Sequence, residues 1–182
     1  MAQFFQLGPE VAGFQGKGTV VSNMPQLQSG VDFIPEVTHL DYEFDGWLGD
    51  DIIEGATCYL VSDILAVAMG QACLSGYRLQ AITVSTTEVF DRWQSKMVER
   101  PLPPFVRVLT EGEIKIKGDR EVISWSGHDI CLGIRVDWVP PETPEQTLAN
   151  PPPYAIVVTE KAFEILKKFQ INNCDVYVLE WQ

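Results

Sequence analysis

The chain has 182 residues, 46% of them hydrophobic and 21% charged, which excludes a disordered or collagen-like chain. No run of about 18 apolar residues occurs, so no membrane-spanning helix is expected. The start, Met1-Ala-Gln-Phe-Phe, carries neither the basic nor the apolar part of a secretory signal, which points to the cytoplasm. Lys and Arg number 13 against 25 Asp and Glu, a net charge of −12.

Residues 1–46 are rich in Gly, Pro, Gln and Ser and show little periodicity, so they are expected to wrap the core as irregular structure with short strands. Phe4, Phe5, Phe14, Phe33, Tyr42 and Phe44 are too many aromatics for a free tail. Gly13, Gly16 and Gly18 are in the wrong order for a dinucleotide loop and read as a turn.

Asp41, Glu43, Asp45 and Gly46 have the spacing that opens a calcium loop. Position 12 of that loop needs a bidentate Glu and holds Ile52. A strand with acids facing solvent and Tyr42 and Phe44 facing inward accounts for the pattern more simply.

Cys58-Tyr-Leu-Val61 reads as a buried strand, Ser62 as an N-cap with Asp63 in the first turn, and Ile64–Cys73 as an apolar helix ended by Ser75-Gly76. A second strand follows around Leu79 and Thr83. Ser85-Thr-Thr-Glu88 has the form of a capping box and opens a helix with Val89, Phe90, Trp93 and Met97 on one face. Pro101, Pro103 and Pro104 end it. Phe105–Leu109 is a strand, Glu113–Lys117 and Glu121–Trp125 form a hairpin about Gly118-Asp119, and Ile130–Trp138 is another strand. Residues 140–153 contain six prolines and form a loop.

Ala155–Val158, the Thr159 cap, the stripe Ala162, Phe163, Leu166, Phe169 and the strand Cys174–Trp181 repeat the design of 58–84 at a spacing of 97 residues. The expected fold is therefore one α/β (α+β) domain over 1–182. It has a mixed sheet, two strand–helix–strand units, and a central helix plus hairpin.

The charge is local. Between Gly18 and Tyr77 there is no Lys or Arg, while Asp32, Glu36, Asp41, Glu43, Asp45, Asp50, Asp51, Glu54 and Asp63 are all acidic. The remainder holds 16 acids against 13 bases. Nucleic acid is disfavoured as a partner, because phosphate contacts need basic residues. A basic protein surface or a cation is favoured, and a merely solvated acidic face is the competing reading.

Cys58, Cys73, Cys131 and Cys174 have no zinc-like spacing with His39 or His128 and read as reduced packing residues. Ser126-Gly-His128-Asp129 shows no marked nucleophile and reads as a turn. No cofactor is implied.

Asp50-Asp51-Ile52, Tyr59–Ser62, Gly76-Tyr77, Ser126–Ile130 and Ile156–Leu166 resemble a bacterial immunity-protein family of polymorphic toxin systems. The resemblance implies a cytoplasmic protein that binds and neutralises a cognate toxin without catalysis. Candidate contacts are Asp41, Glu43, Asp45, Asp50, Asp51 and Glu54, with Trp47 as aromatic anchor. The alternatives are a metal-dependent enzyme using Asp50, Asp51 and Glu54, and a self-associating structural protein.

Overall fold

The computed structural model describes residues 3–22, 36–55, 58–118, 120–139 and 154–181. Asp32, Phe33, Asp119 and the Pro-rich loop 140–153 lie outside the described residues, as does the side chain of Glu36.

The first half of the chain runs β1 (Phe4–Gly8), β2 (Glu10–Val11), β3 (Gly13–Gln15), β4 (Val20–Ser22), β5 (Glu36–His39), β6 (Asp41–Phe44), β7 (Ile52–Gly55), β8 (Cys58–Ser62), α1 (Asp63–Gln71) and β9 (Tyr77–Gln80). β10 (Thr83–Thr86) and α2 (Glu88–Met97) lead into the second half. That half is β11 (Phe105–Thr110), β12 (Gly112–Lys117), β13 (Glu121–Trp125), β14 (Ile130–Arg135), β15 (Tyr154–Thr159), α3 (Glu160–Leu166) and β16 (Asp175–Trp181). The fold is mixed α+β and mostly strand.

The second half forms a closed barrel in the order β1-β15-β14-β12-β13-β16. The first half forms a five-stranded sheet, β2-β7-β8-β11-β9, and a three-stranded sheet, β10-β6-β3. The strand pairings of the two correspond. β2-β7-β8-β11-β9 matches β12-β14-β15-β1-β16, and β10-β6-β3 matches β16-β13-β12, the counterparts of β12 and β16 being split in the first half into β2 with β3 and β9 with β10; the first half is thus an open barrel of two sheets where the second is closed. Every matched pairing has the same polarity.

The registers agree as well. Phe105 lies opposite Ser62 as Phe4 lies opposite Thr159, and Ile52 opposite Val61 as Ile130 opposite Val158. The expected pair of strand–helix–strand units is therefore part of a larger repeat. Each half gives its first strand to the other: β1 lies between β15 and β16, and β11 between β8 and β9.

A sequence signature marks the repeat. Trp47-Leu-Gly-Asp-Asp-Ile-Ile-Glu-Gly55 and Trp125-Ser-Gly-His-Asp-Ile-Cys-Leu-Gly133 share Trp, Gly, Asp, Ile and Gly at the same places. Each Trp donates its indole N–H to the carbonyl three residues on, Trp47 to Asp50 and Trp125 to His128, both at 2.8 Å. Gly49 and Gly127 have φ of +106° and +89°, a conformation that favours glycine.

Three buried clusters follow from this plan. Trp47, Phe44, Ile53, Leu60 and Phe105 fill the first barrel; Phe4, Ile114, Val122, Cys131 and Val157 fill the second. Ile52, Val61, Leu65 and Met69 meet their counterparts Ile130, Val158, Ala162 and Leu166 between the halves.

Ser62 and Thr159 are N-caps, accepting from Leu65 N and Ala162 N. The third helix start differs from expectation. Thr87 caps α2 and accepts from Phe90 N, while Ser85 and Thr86 remain in β10, where pairing with β6 holds them extended. α1 stops at Gln71, before Ser75-Gly76, and Cys73 takes the left-handed conformation with φ of +50°. Residues 1–46 are not only a wrap, because β1 is an interior barrel strand with Phe4 and Leu7 buried. Only Phe90 of the α2 stripe is buried; Val89, Trp93 and Met97 face outward.

Candidate interaction surface

The sheet β3-β6-β10 brings the acidic residues of β6 to one face. Tyr42 and Phe44 point inward and are fully buried, so Asp41 and Glu43 point out, and Asp45 continues the row into solvent. Phe14 on β3 lies opposite Glu43 and is 45% exposed; Thr83 and Ser85 on β10 lie opposite Asp41 and Glu43.

Two of these acids have partners within the chain. The Asp41 carboxylate accepts from Gly18 N at 2.9 Å, and Gly16 and Gly18 pack so closely on it that a Cβ at either would approach to 2.5 or 2.9 Å. The glycine-rich turn thus seats Asp41. Asp45 accepts from the Thr87 hydroxyl at 2.7 Å, joining the row to the start of α2. Beyond it, α2 exposes Val89, Trp93 and Met97, with Lys96 4.5 Å from the Trp93 ring centre.

The other expected contact residues lie elsewhere. Trp47 is 1% exposed and belongs to the first barrel core, where its ring meets Phe105 and the Arg100 guanidinium. It cannot serve as a surface anchor. Asp50 and Asp51 are each 1% exposed. They are not surface charges, because buried backbone donors and a guanidinium hold them. Asp50 accepts from Asn172 N, Asn173 N and the Asn173 side chain at 2.8–3.0 Å. Asp51 accepts from Arg100 at 2.5 and 3.2 Å and from Gln170 N at 3.0 Å. Burial pushes the Asp51 carboxyl up, but hydrogen bonds from Arg100, Ser62 and Gln170 and the Arg100 charge outweigh it and hold its pKa below the usual range.

Glu54 is half-buried on β7 opposite Tyr59, and burial raises its pKa. Asp50, Asp51 and Glu54 therefore do not assemble into a metal centre. No group of three or more His, Cys, Asp or Glu able to hold a metal occurs among the described residues.

Asp129 is the counterpart of Asp51. It accepts from Ser75 N and Oγ at 3.0 Å, from Thr159 Oγ1 at 3.1 Å and from Lys161 Nζ at 3.1 Å. Burial raises its pKa, and these bonds more than reverse that. The carboxylate is occupied by Ser75, Thr159 and Lys161. The four cysteines are not joined in disulfides, and Cys73 is exposed.

Sequence reasoning missed Arg107, a buried guanidinium inside the first barrel that donates to the Val37 carbonyl and to Gln80 at 2.6 and 3.1 Å. Its position in an otherwise apolar strand was the available signal. No family model, no curated protein and no solved structure matches the chain.

Proposed function

We propose that this is a cytoplasmic immunity-type protein that binds a cognate protein toxin, without catalysis, through the outer face of the β3-β6-β10 sheet. The observation that supports this best is the row Asp41, Glu43, Asp45, drawn from a stretch without Lys or Arg between Gly18 and Tyr77 and set beside exposed Phe14 of β3. Such a face suits a basic surface and raises association rates by electrostatic steering. It disfavours nucleic acid. Trp47 being internal, the exposed aromatics beside the row are Phe14 and, on α2, Trp93.

The test is stopped-flow binding of the full chain to the toxin domain encoded beside its gene, over a salt series. Association slows as salt rises, and the Asp41→Asn, Glu43→Gln, Asp45→Asn variant associates more slowly with a shallower salt slope. An unchanged rate and slope place the contact elsewhere. The exposed apolar stripe Val89, Trp93 and Met97 favours self-association as a second reading, which light scattering across concentrations tests.

A further inference from the structure

We propose that the reciprocal exchange of β1 and β11 is a coupling device that makes the two barrels open and close as one, so that a change in either is felt in the other. This inference is independent of the partner-binding reading.

Each barrel has its own buried cluster, and such clusters could in principle melt separately. The connections prevent that. β1 is bonded along both edges to strands of the second half, from Phe4 opposite Thr159 and Leu179 to Leu7 opposite Ile156 and Val176. One residue later the chain enters β2, which pairs with β7 of the first half. β11 mirrors this between β8 and β9, and a single residue separates it from β12 in the other barrel. Freeing either barrel strips a central strand from it and pulls on the strand that follows in the other, β2 at the edge of its sheet or β12 within the closed barrel.

The helix starts are tied in the same crossed manner. Asp63 N, at the start of α1, donates to the Pro104 carbonyl just before β11, at 2.9 Å; Glu160 N, at the start of α3, donates to the Gln3 carbonyl just before β1, at 3.0 Å. Two crossed aspartate contacts complete the set. Asp51 of the first half holds Gln170 N after α3, and Asp129 of the second half holds Ser75 N after α1, each at 3.0 Å.

The indole N–H groups of Trp47 and Trp125 occupy equivalent places in the two barrels and supply matched probes. With ¹⁵N-labelled full-length protein, the two indole resonances are followed through a urea series. They are followed in the parent and in Ile53→Val and Ile114→Val, mild changes in the first and second barrel cores respectively. Coupling requires both native signals to vanish at one urea concentration, and each substitution to lower that concentration equally at both tryptophans. A shift of the Trp47 transition alone in Ile53→Val, or of Trp125 alone in Ile114→Val, overturns the proposal.

Discussion

Asp51 and Asp129 stand at the same point of two matching frames, and the comparison separates what the backbone fixes from what side chains supply. Each lies directly before an Ile that begins a barrel strand. Each gives its carbonyl to the backbone N–H of a helix cap, Ser62 at 2.8 Å and Thr159 at 2.9 Å. Each carboxylate reaches the turn after the other half's helix. The cations differ. Asp51 is closed off and held by Arg100, which comes from the connection between the halves; Asp129 has a 16% exposed side chain and is held by Lys161 from the first turn of α3. The residue before also differs, a buried Asp50 in one frame and His128 in the other. Backbone geometry is repeated, while the charge that balances the aspartate is drawn from whichever element is near.

The largest test of this comparison is to remove the two carboxylates in turn. Asp51→Ala strands the half-buried Arg100 and the Gln170 amide, and a broken buried pair costs about 3–5 kcal/mol. Asp129→Ala leaves Ser75 and Lys161 close to water and costs about 1–3 kcal/mol. Urea midpoints give both values. Equal losses would mean that burial and the Arg100 pair contribute nothing beyond the shared frame.

Acid provides a second, smaller comparison. Both aspartates have folded pKa values below their unfolded value of about 3.9, so the stability they contribute is complete above that pH. It is lost as pH falls through the unfolded and then the folded value. Glu10 and Glu54 act in the opposite sense. Burial raises their folded pKa, so the stability they contribute is present at low pH and is lost as pH rises through the folded value. The urea midpoint should therefore fall on acidification below about pH 4, where the aspartates titrate. Asp51→Asn with Asp129→Asn flattens that acid limb and leaves the glutamate limb in place. An acid limb unchanged in the double variant would assign acid sensitivity to other carboxylates.

How much of this frame could be read beforehand depended on whether its signal was local. Ser62 and Thr159 were legible as caps because an N-cap is written in one residue and the acid after it. Tyr42 and Phe44 were legible as inward residues of a strand from their period of two. Asp50 and Asp51 read as surface charges in the sequence because nothing nearby shows that Arg100, Gln170 and Asn172 arrive from up to 122 residues away. Trp47 was placed among acids by sequence and among Phe44, Phe105 and Arg100 by the fold. The exchange of β1 and β11 left no local trace. The repeat itself is written in Trp-x-Gly-x-Asp-Ile-x-x-Gly, at a spacing of 78 where the helix units repeat at 97, because loops of different length separate them.

That signature yields the finest test. If the two frames are equivalent, the glycines within them must be equally intolerant of a side chain. Gly49 and Gly127 both have positive φ, where alanine is strained by about 1 kcal/mol or somewhat more. Space does not distinguish them. A Cβ on Gly49 would touch Val98 Cγ1 at 3.5 Å, an ordinary van der Waals distance, and one on Gly127 would meet nothing within 4 Å. Gly49→Ala and Gly127→Ala should therefore lower stability by amounts within about 0.5 kcal/mol of each other. Gly46→Ala, whose Cβ also meets nothing and whose φ is not in the left-handed region, is the control and should leave stability almost unchanged. A loss at Gly49 well above that at Gly127 would show that the turn in the first half is held more rigidly, by the Asp50 carboxylate and by Glu10, which accepts from Leu48 N at 2.9 Å and Asp50 N at 3.3 Å. Equal losses would show that the turn is set by the backbone frame the two halves share.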